Sequence, residues 1–268
     1  MKPQSILLGL ALCLGTLPLF AQDSNLTNNV QATASDTPLE TFDTLQDPTL
    51  FTSRLGLGYE GLQRHNGGFR NKFLLNGTYA FKAYEPNDTA VAFEQPIIHQ
   101  NYTEDGTGLG DLKLTAGHVF KTTGTFRWGA ALETLFPTAT DDEVGDGIIK
   151  LTPIFGWQTR ILKNVQFGGR LKYNYSVYEE EGRSRANSIE FNPQLLAEWP
   201  HDIYTSVAWN SEWTLVNGGH YIGKFEPQIG KAFGKNKQWV AYVGVEIPWI
   251  HAGNDICTYK TGISYLFK

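Results

Sequence analysis

Cysteine is nearly absent from this chain of 268 residues, and long apolar runs are confined to its start. One of the two cysteines, Cys13, lies in that apolar leader, so removing the leader leaves Cys257 alone and no intramolecular disulfide forms. Beyond the leader no stretch approaches the ~18 consecutive apolar residues of a membrane-crossing helix. A chain of this kind spans a bilayer only as a closed barrel of strands, because lipid satisfies no open backbone edge. A basic stripe is missing too, and the net charge is −5, which argues against nucleic acid as a partner. His65, His99, His118, His201, His220 and His251 show neither the close His-x-Ser spacing of a barrel lipid hydrolase nor a metal-ligand spacing. No catalytic residue, cofactor or metal is therefore expected, although distant residues that converge in space would escape this reading.

What is present falls into three parts. Met1 to Ala21 reads as a secretory signal peptide, with Lys2 as its positive start, Ile6–Phe20 as its apolar core and Ala21 as the small residue at cleavage. Residues 22–48 are rich in Ser, Thr, Asn and Asp and contain no Lys or Arg. Such a tract buries too little apolar surface to offset the entropy of ordering it, so it reads as a flexible periplasmic lead or a segment loosely entering the lumen. Residues 49–268 carry the fold.

From Phe51 onward, segments with one apolar and one polar face follow one another, about twelve in all. Trp209, Trp213 and Val207 oppose Ala208, Asn210 and Glu212 in one of them; Phe167, Leu171 and Tyr173 oppose Gln166, Arg170 and Lys172 in another. These alternations persist for about 11–15 residues, whereas strands of soluble proteins are mostly ~5–6 long and a tilted strand needs ~9–11 to cross a bilayer. The expected fold is all-β: a transmembrane antiparallel β-barrel of about twelve strands in the outer membrane. An even count puts both termini on the periplasmic side. Short turns are expected there (Glu85–Asp88, Lys121–Gly124, Leu162–Asn164, Pro200–Asp202, Gly234–Lys237), and longer outer loops opposite, among them Glu104–Gly108, Thr140–Gly147 and Glu179–Ala186. Aromatic residues such as Phe120, Trp199 and Trp239 on one side and Phe136, Tyr175 and Trp213 on the other fall where headgroups lie, which makes membrane lipid and lipopolysaccharide expected partners.

The inward face carries both signs of charge. Arg54, Arg70, Lys72, Glu133, Arg170, Lys172, Glu190, Glu212, Lys224 and Glu226 are the main lumen candidates, with Glu60, Lys82, Lys113, Arg127, Lys150, Arg160, Glu198 and Glu246 beside them. Such charges either pair across strands and fill the interior or line a watery path for a small-molecule solute. Pro153, Pro193 and Pro227 recur within alternating segments and cannot donate to a ladder. They mark either bulges toward the outer rim or kinks that open the wall sideways.

Two stretches carry resemblances. The last strand, with Gly262, Tyr265 and Phe267 before a final Lys268, resembles the C-terminal signal of bacterial outer-membrane barrels, which implies recognition by the barrel-assembly machinery and closure by the last strand. The run Thr107-Gly108-Leu109-Gly110-Asp111-Leu112, followed by Pro137-Thr138, resembles the outer-membrane transporter family named after phenol-degradation meta-pathway proteins, with Ala139 where that family usually has glycine. The resemblance implies a channel for passive uptake of small hydrophobic or aromatic compounds. A lipid hydrolase and a closed structural or adhesive barrel are the alternatives.

Overall fold

The computed structural model describes residues 47–268 except positions 66, 84–87, 102–104, 122–124, 217–218, 251–254 and 268, together with the side chain at 121. The signal peptide, residues 22–46 and the tips of several turns lie outside the described residues.

Thirteen antiparallel strands form one sheet: β1 (Arg54–Arg64), β2 (Phe69–Phe81), β3 (Thr89–Gln100), β4 (Gly106–Leu109), β5 (Leu112–Lys121), β6 (Phe126–Phe136), β7 (Ile148–Leu162), β8 (Val165–Glu179), β9 (Asn187–Trp199), β10 (Ile203–Thr214), β11 (His220–Phe233), β12 (Trp239–Ile250) and β13 (Asp255–Leu266). Apart from β4 and β5, which do not pair with each other, each strand pairs with its sequence neighbours, and β13 closes the ring on β1 from Arg54↔Leu266 to Arg64↔Asp255. The wall is a closed twelve-strand barrel with one extra strand, because β4 and β5 both pair with β3 and share one place in it. β1 starts and β13 ends at the same end of the barrel, here called the inner end.

The split between β4 and β5 corrects the sequence reading, which put Glu104–Gly108 in a loop. Its cause is local. Three steps along β3, from Ile97 to Glu94, face four along its partner, from Leu109 to Lys113. One extra residue is a bulge. It falls beside Pro96, which offers β4–β5 no amide donor. Phe51–Ser53, expected in the first strand, precede β1 instead.

The barrel is built inside out. Large apolar side chains such as Leu57 (61% exposed), Tyr79 (65%) and Val243 (56%) point away from the axis, and among the buried residues Gln, Asn, Ser and Thr are as frequent as apolar ones. Outward rings meet along the surface, Phe120 on Trp128 at 4.3 Å and Trp239 on Tyr265 at 4.9 Å among them. A small apolar cluster of Leu196, Tyr204, Ala232, Val240 and Leu266 fills the inner end on the β9–β13 side. Gly230 and Gly262 make room for it: a Cβ on Gly262 would lie 2.6 Å from the Tyr242 ring.

Candidate functional site

Alternation places one side chain in two on the inner face, and those of the middle rows are charged. Glu60, Lys72, Glu94, Lys113 and Glu133 alternate in sign over β1, β2, β3, β5 and β6. Lys72 lies 3.5 Å from Glu60 and 3.6 Å from Glu94, and Lys113 lies 3.3 Å from Glu94 and 4.0 Å from Glu133. On the other half, Lys260 sits 2.8 Å from Glu226 and 3.0 Å from Glu246, Lys224 2.9 Å from Glu246, and Lys172 3.6 Å from Glu190. The Asn210 amide donates to Glu226 and Glu246, and that of Asn174 to Glu190. With Arg170, six bases face six carboxylates, so the belt is neutral as a whole. Pairing of this kind keeps charges tolerable in a narrow lumen, where a lone buried ion would cost several kcal/mol.

A cavity of about 580 Å³ runs through this belt toward the inner end, and a smaller one of about 200 Å³ lies on the outer side of the belt; Glu60 and Lys260 line both. The large cavity has two unlike walls. Arg170, Lys172, Asn192, Gln194, Asn210 and Gln228 make one polar, while the other sets a small apolar patch of Ala90, Ala92, Gly117, Ala131, Ile154 and Gly156 beside Glu94, Lys113, Thr115 and Glu133.

Among the lumen candidates, Arg54, Glu133, Arg170, Lys172 and Glu226 line the large cavity, and Arg70, Lys72 and Lys224 the small one. Glu190 is held by Lys172, and Glu212 stands directly across from Glu190 in the β9–β10 register. Sequence reasoning missed three members. Lys260 lies on the polar face of a strand read for its closing aromatics. Glu94 sits in a segment whose alternation Pro96 weakens. Asp47 falls in the polar lead, yet it is buried and paired with Arg127.

Asp47 belongs to a segment that crosses the inner mouth. Leu50 turns back on Asp47, Pro48 lies against Gly156 of β7, and Phe51 against Gly117 of β5; a Cβ on either glycine would stand 3.2–3.3 Å from its neighbour. These two glycines form the groove in which the segment rests.

At the other end, the glycine motif serves the loop 137–147. Gly106, Gly108 and Gly110 present bare backbone inward at alternate positions. A Cβ on Gly106 would fall 2.7 Å from Glu143, and one on Gly108 would overlap Thr140 Oγ1. Thr138 Oγ1 accepts from Leu112 N (2.9 Å) and Thr140 Oγ1 from Leu109 N (3.0 Å). Asp111, buried at the bulge, accepts from Ala139 N (3.1 Å) and Asp146 N (2.6 Å), and Pro137 ends β6 at the start of the same loop. The motif residues thus fold one outer loop onto the inner face of the wall. Arg183 holds this loop to the next one through the Asp142 carbonyl (2.6 Å).

The strand prolines are not bulges. Each keeps its pairing on one flank, with Leu132, Gly169 and Val207 opposite Pro153, Pro193 and Pro227. On the other flank the ladder skips two pairs and resumes in the same register: Leu151↔Tyr175 then Ile154↔Lys172, Phe191↔Ser211 then Gln194↔Ala208, Phe225↔Ile247 then Gln228↔Gly244. Missing amides, rather than extra residues, open these gaps. Polar side chains partly fill them. Thr152 bonds Asn174 (2.9 Å), and Asn192 Oδ1 accepts from Ser211 N (3.3 Å). Pro193 and Pro227 lie at the middle of their strands rather than toward the outer rim.

The family described as "Putative MetA-pathway of phenol degradation" matches residues 39–258. The chain belongs to that family. A solved outer membrane channel from Pseudomonas putida F1 shares its fold (TM-score 0.63, 11% identity, 81% of this chain and 96% of that one). So do the NanC porin (TM-score 0.56, 12% identity, 80% and 98%) and the KdgM porin (TM-score 0.54, 11% identity, 80% and 99%). At such identities the likeness concerns the fold alone. A search of curated proteins returned no match.

Proposed function

We propose that this family member is an outer-membrane channel through which small aromatic molecules pass passively. The observation that carries the reading is the two-walled cavity inside an inside-out barrel. One wall solvates polar groups, the other offers shallow apolar contact, and a path of this kind binds a solute weakly enough to release it. The outward aromatic rows suit lipid and lipopolysaccharide headgroups, and the closing strand suits the barrel-assembly machinery. The paired belt supports a second reading, a closed structural barrel. Uptake into proteoliposomes decides between them. Phenyl glucoside, a small aromatic solute that crosses lipid slowly, should enter faster than into empty vesicles. Uptake at the empty-vesicle rate, with the barrel shown to be folded, would assign it the structural role.

A further inference from the structure

Arg170 is the exception in the belt. It lines the large cavity, yet among the described residues its side chain makes no hydrogen bond and no ion pair within 4 Å. The carboxylates around it are held by others: Glu226 by Lys260 at 2.8 Å and Asn210 at 2.9 Å, Glu190 by Lys172 at 3.6 Å and Asn174 at 2.6 Å, Glu133 by Lys113 at 4.0 Å. A guanidinium stays charged at every physiological pH and presents a planar fork of donors that matches a carboxylate. Left without an anion in a narrow lumen, it is a vacancy for one. The same cavity supplies an apolar surface in Ala90, Ala92, Ala131, Ile154 and the ring of Phe51.

We propose that the cavity holds a subsite for small aromatic carboxylates, with the carboxylate on the Arg170 fork and the ring on the apolar wall. The inference rests on the channel reading and names its solute class. The pairing ledger gives the sign of the selectivity. Each carboxylate in the belt already has a cation, so an incoming aromatic cation finds no unpaired acid within the belt and meets a guanidinium that no belt carboxylate holds directly. An aromatic anion finds the unfilled half of a charge-assisted, two-pronged contact, of the strong kind. Lys172, two residues along the same face, adds to the positive side, although it is shared with Glu190. A carboxylate without a ring gains the first contact and loses the second.

Planar-bilayer recording on the full mature barrel tests this. Unitary current in potassium chloride reports whether there is a channel at all. Reversal potentials in gradients of sodium benzoate, sodium acetate and benzyltrimethylammonium chloride then report its preference. Benzoate should be favoured over the aromatic cation by about tenfold, and Arg170→Gln should bring that ratio close to one. Arg170→Lys, which keeps the charge and loses the fork, should retain part of it. If Arg170→Gln does not fold, benzoate must still interrupt the wild-type current in a concentration-dependent way where acetate does not. A folded barrel without current in potassium chloride overturns the channel reading and the subsite with it. A conducting barrel indifferent to the sign of aromatic ions, or an Arg170→Gln barrel with the wild-type ratio, overturns the subsite alone.

Discussion

At the scale of single residues, facing decides what a substitution costs. Trp209 points outward against Phe225 and Trp249, while its neighbour Asn210 lines the cavity and donates to Glu226 and Glu246. Trp209→Arg should destabilise the barrel by ~2–4 kcal/mol if that ring lies at the bilayer midplane, and Asn210→Arg by much less, since it exchanges one polar lumen group for another. Urea unfolding in lipid vesicles compares the two, and equal costs would contradict the facing. Lys260 bridges two belt carboxylates, Glu226 and Glu246, whose side chains are only 18% and 12% exposed. Lys260→Met leaves two carboxylates close together with one cation fewer. The expected loss is about 2–3 kcal/mol, between that of an exposed pair and that of a fully buried one. An unfolding midpoint unchanged from wild type would mean that water, not Lys260, screens them. Most of the lumen side was legible because period two sorts residues mechanically. Lys260 and Glu94 escaped because a closing signal and a proline drew attention from the plain alternation around them.

At the scale of elements, the breaks in the wall were the hardest part to read. Gly108, Gly110, Asp111 and Thr138 were visible as a motif, but a motif does not say what touches it. The contacts that give it meaning lie about thirty residues apart in sequence, between β4–β5 and the loop 137–147. Asp111→Ala removes the buried acceptor of two loop amides and should cost about 1–3 kcal/mol. Because the loss falls on one loop, limited proteolysis between Thr138 and Gly147 should accelerate more than global unfolding does. Proline was equally ambiguous. A missing donor can produce a bulge or a gap, and only the register on both sides tells them apart. If the gaps beside Pro153 and Pro193 provide a sideways exit, Pro153→Val and Pro193→Val together should slow apolar solutes more than small ions. A path along the axis alone would leave that ratio unchanged. The closing strand offers a further test. Phe267 donates its amide to the Ser53 carbonyl (2.8 Å) and packs on Tyr265. Phe267→Asp should lower the folded amount in the outer membrane, scored by heat-modifiable gel migration.

At the scale of the molecule, twelve-fold closure was readable from strand length and count, whereas the contents of the barrel were not. Composition left open whether the polar lead would enter the mouth, because what holds Asp47 there is a cation eighty positions away on β6. Asp47→Ala should free this segment and raise the unitary current in a planar bilayer; a current equal to wild type would mean that the segment does not obstruct flow. The distribution of ion pairs has a bearing on how such a barrel comes into being. Each belt pair joins strands close in sequence: β1 with β2, β2 with β3, β3 with β5, β5 with β6, β8 with β9, and β11 with β12 and β13. No belt pair within 4 Å spans the junction of β13 with β1, where Glu60 and Lys260 stand opposite each other in the register and Arg64 contacts Asp255 at the outer rim (3.0 Å, without hydrogen-bond alignment). A growing sheet can therefore neutralise its belt hairpin by hairpin, long before its two edges meet. The edges reach each other without a naked charge to carry through oil, and what remains for the final step is backbone zipping and one clasp at the top.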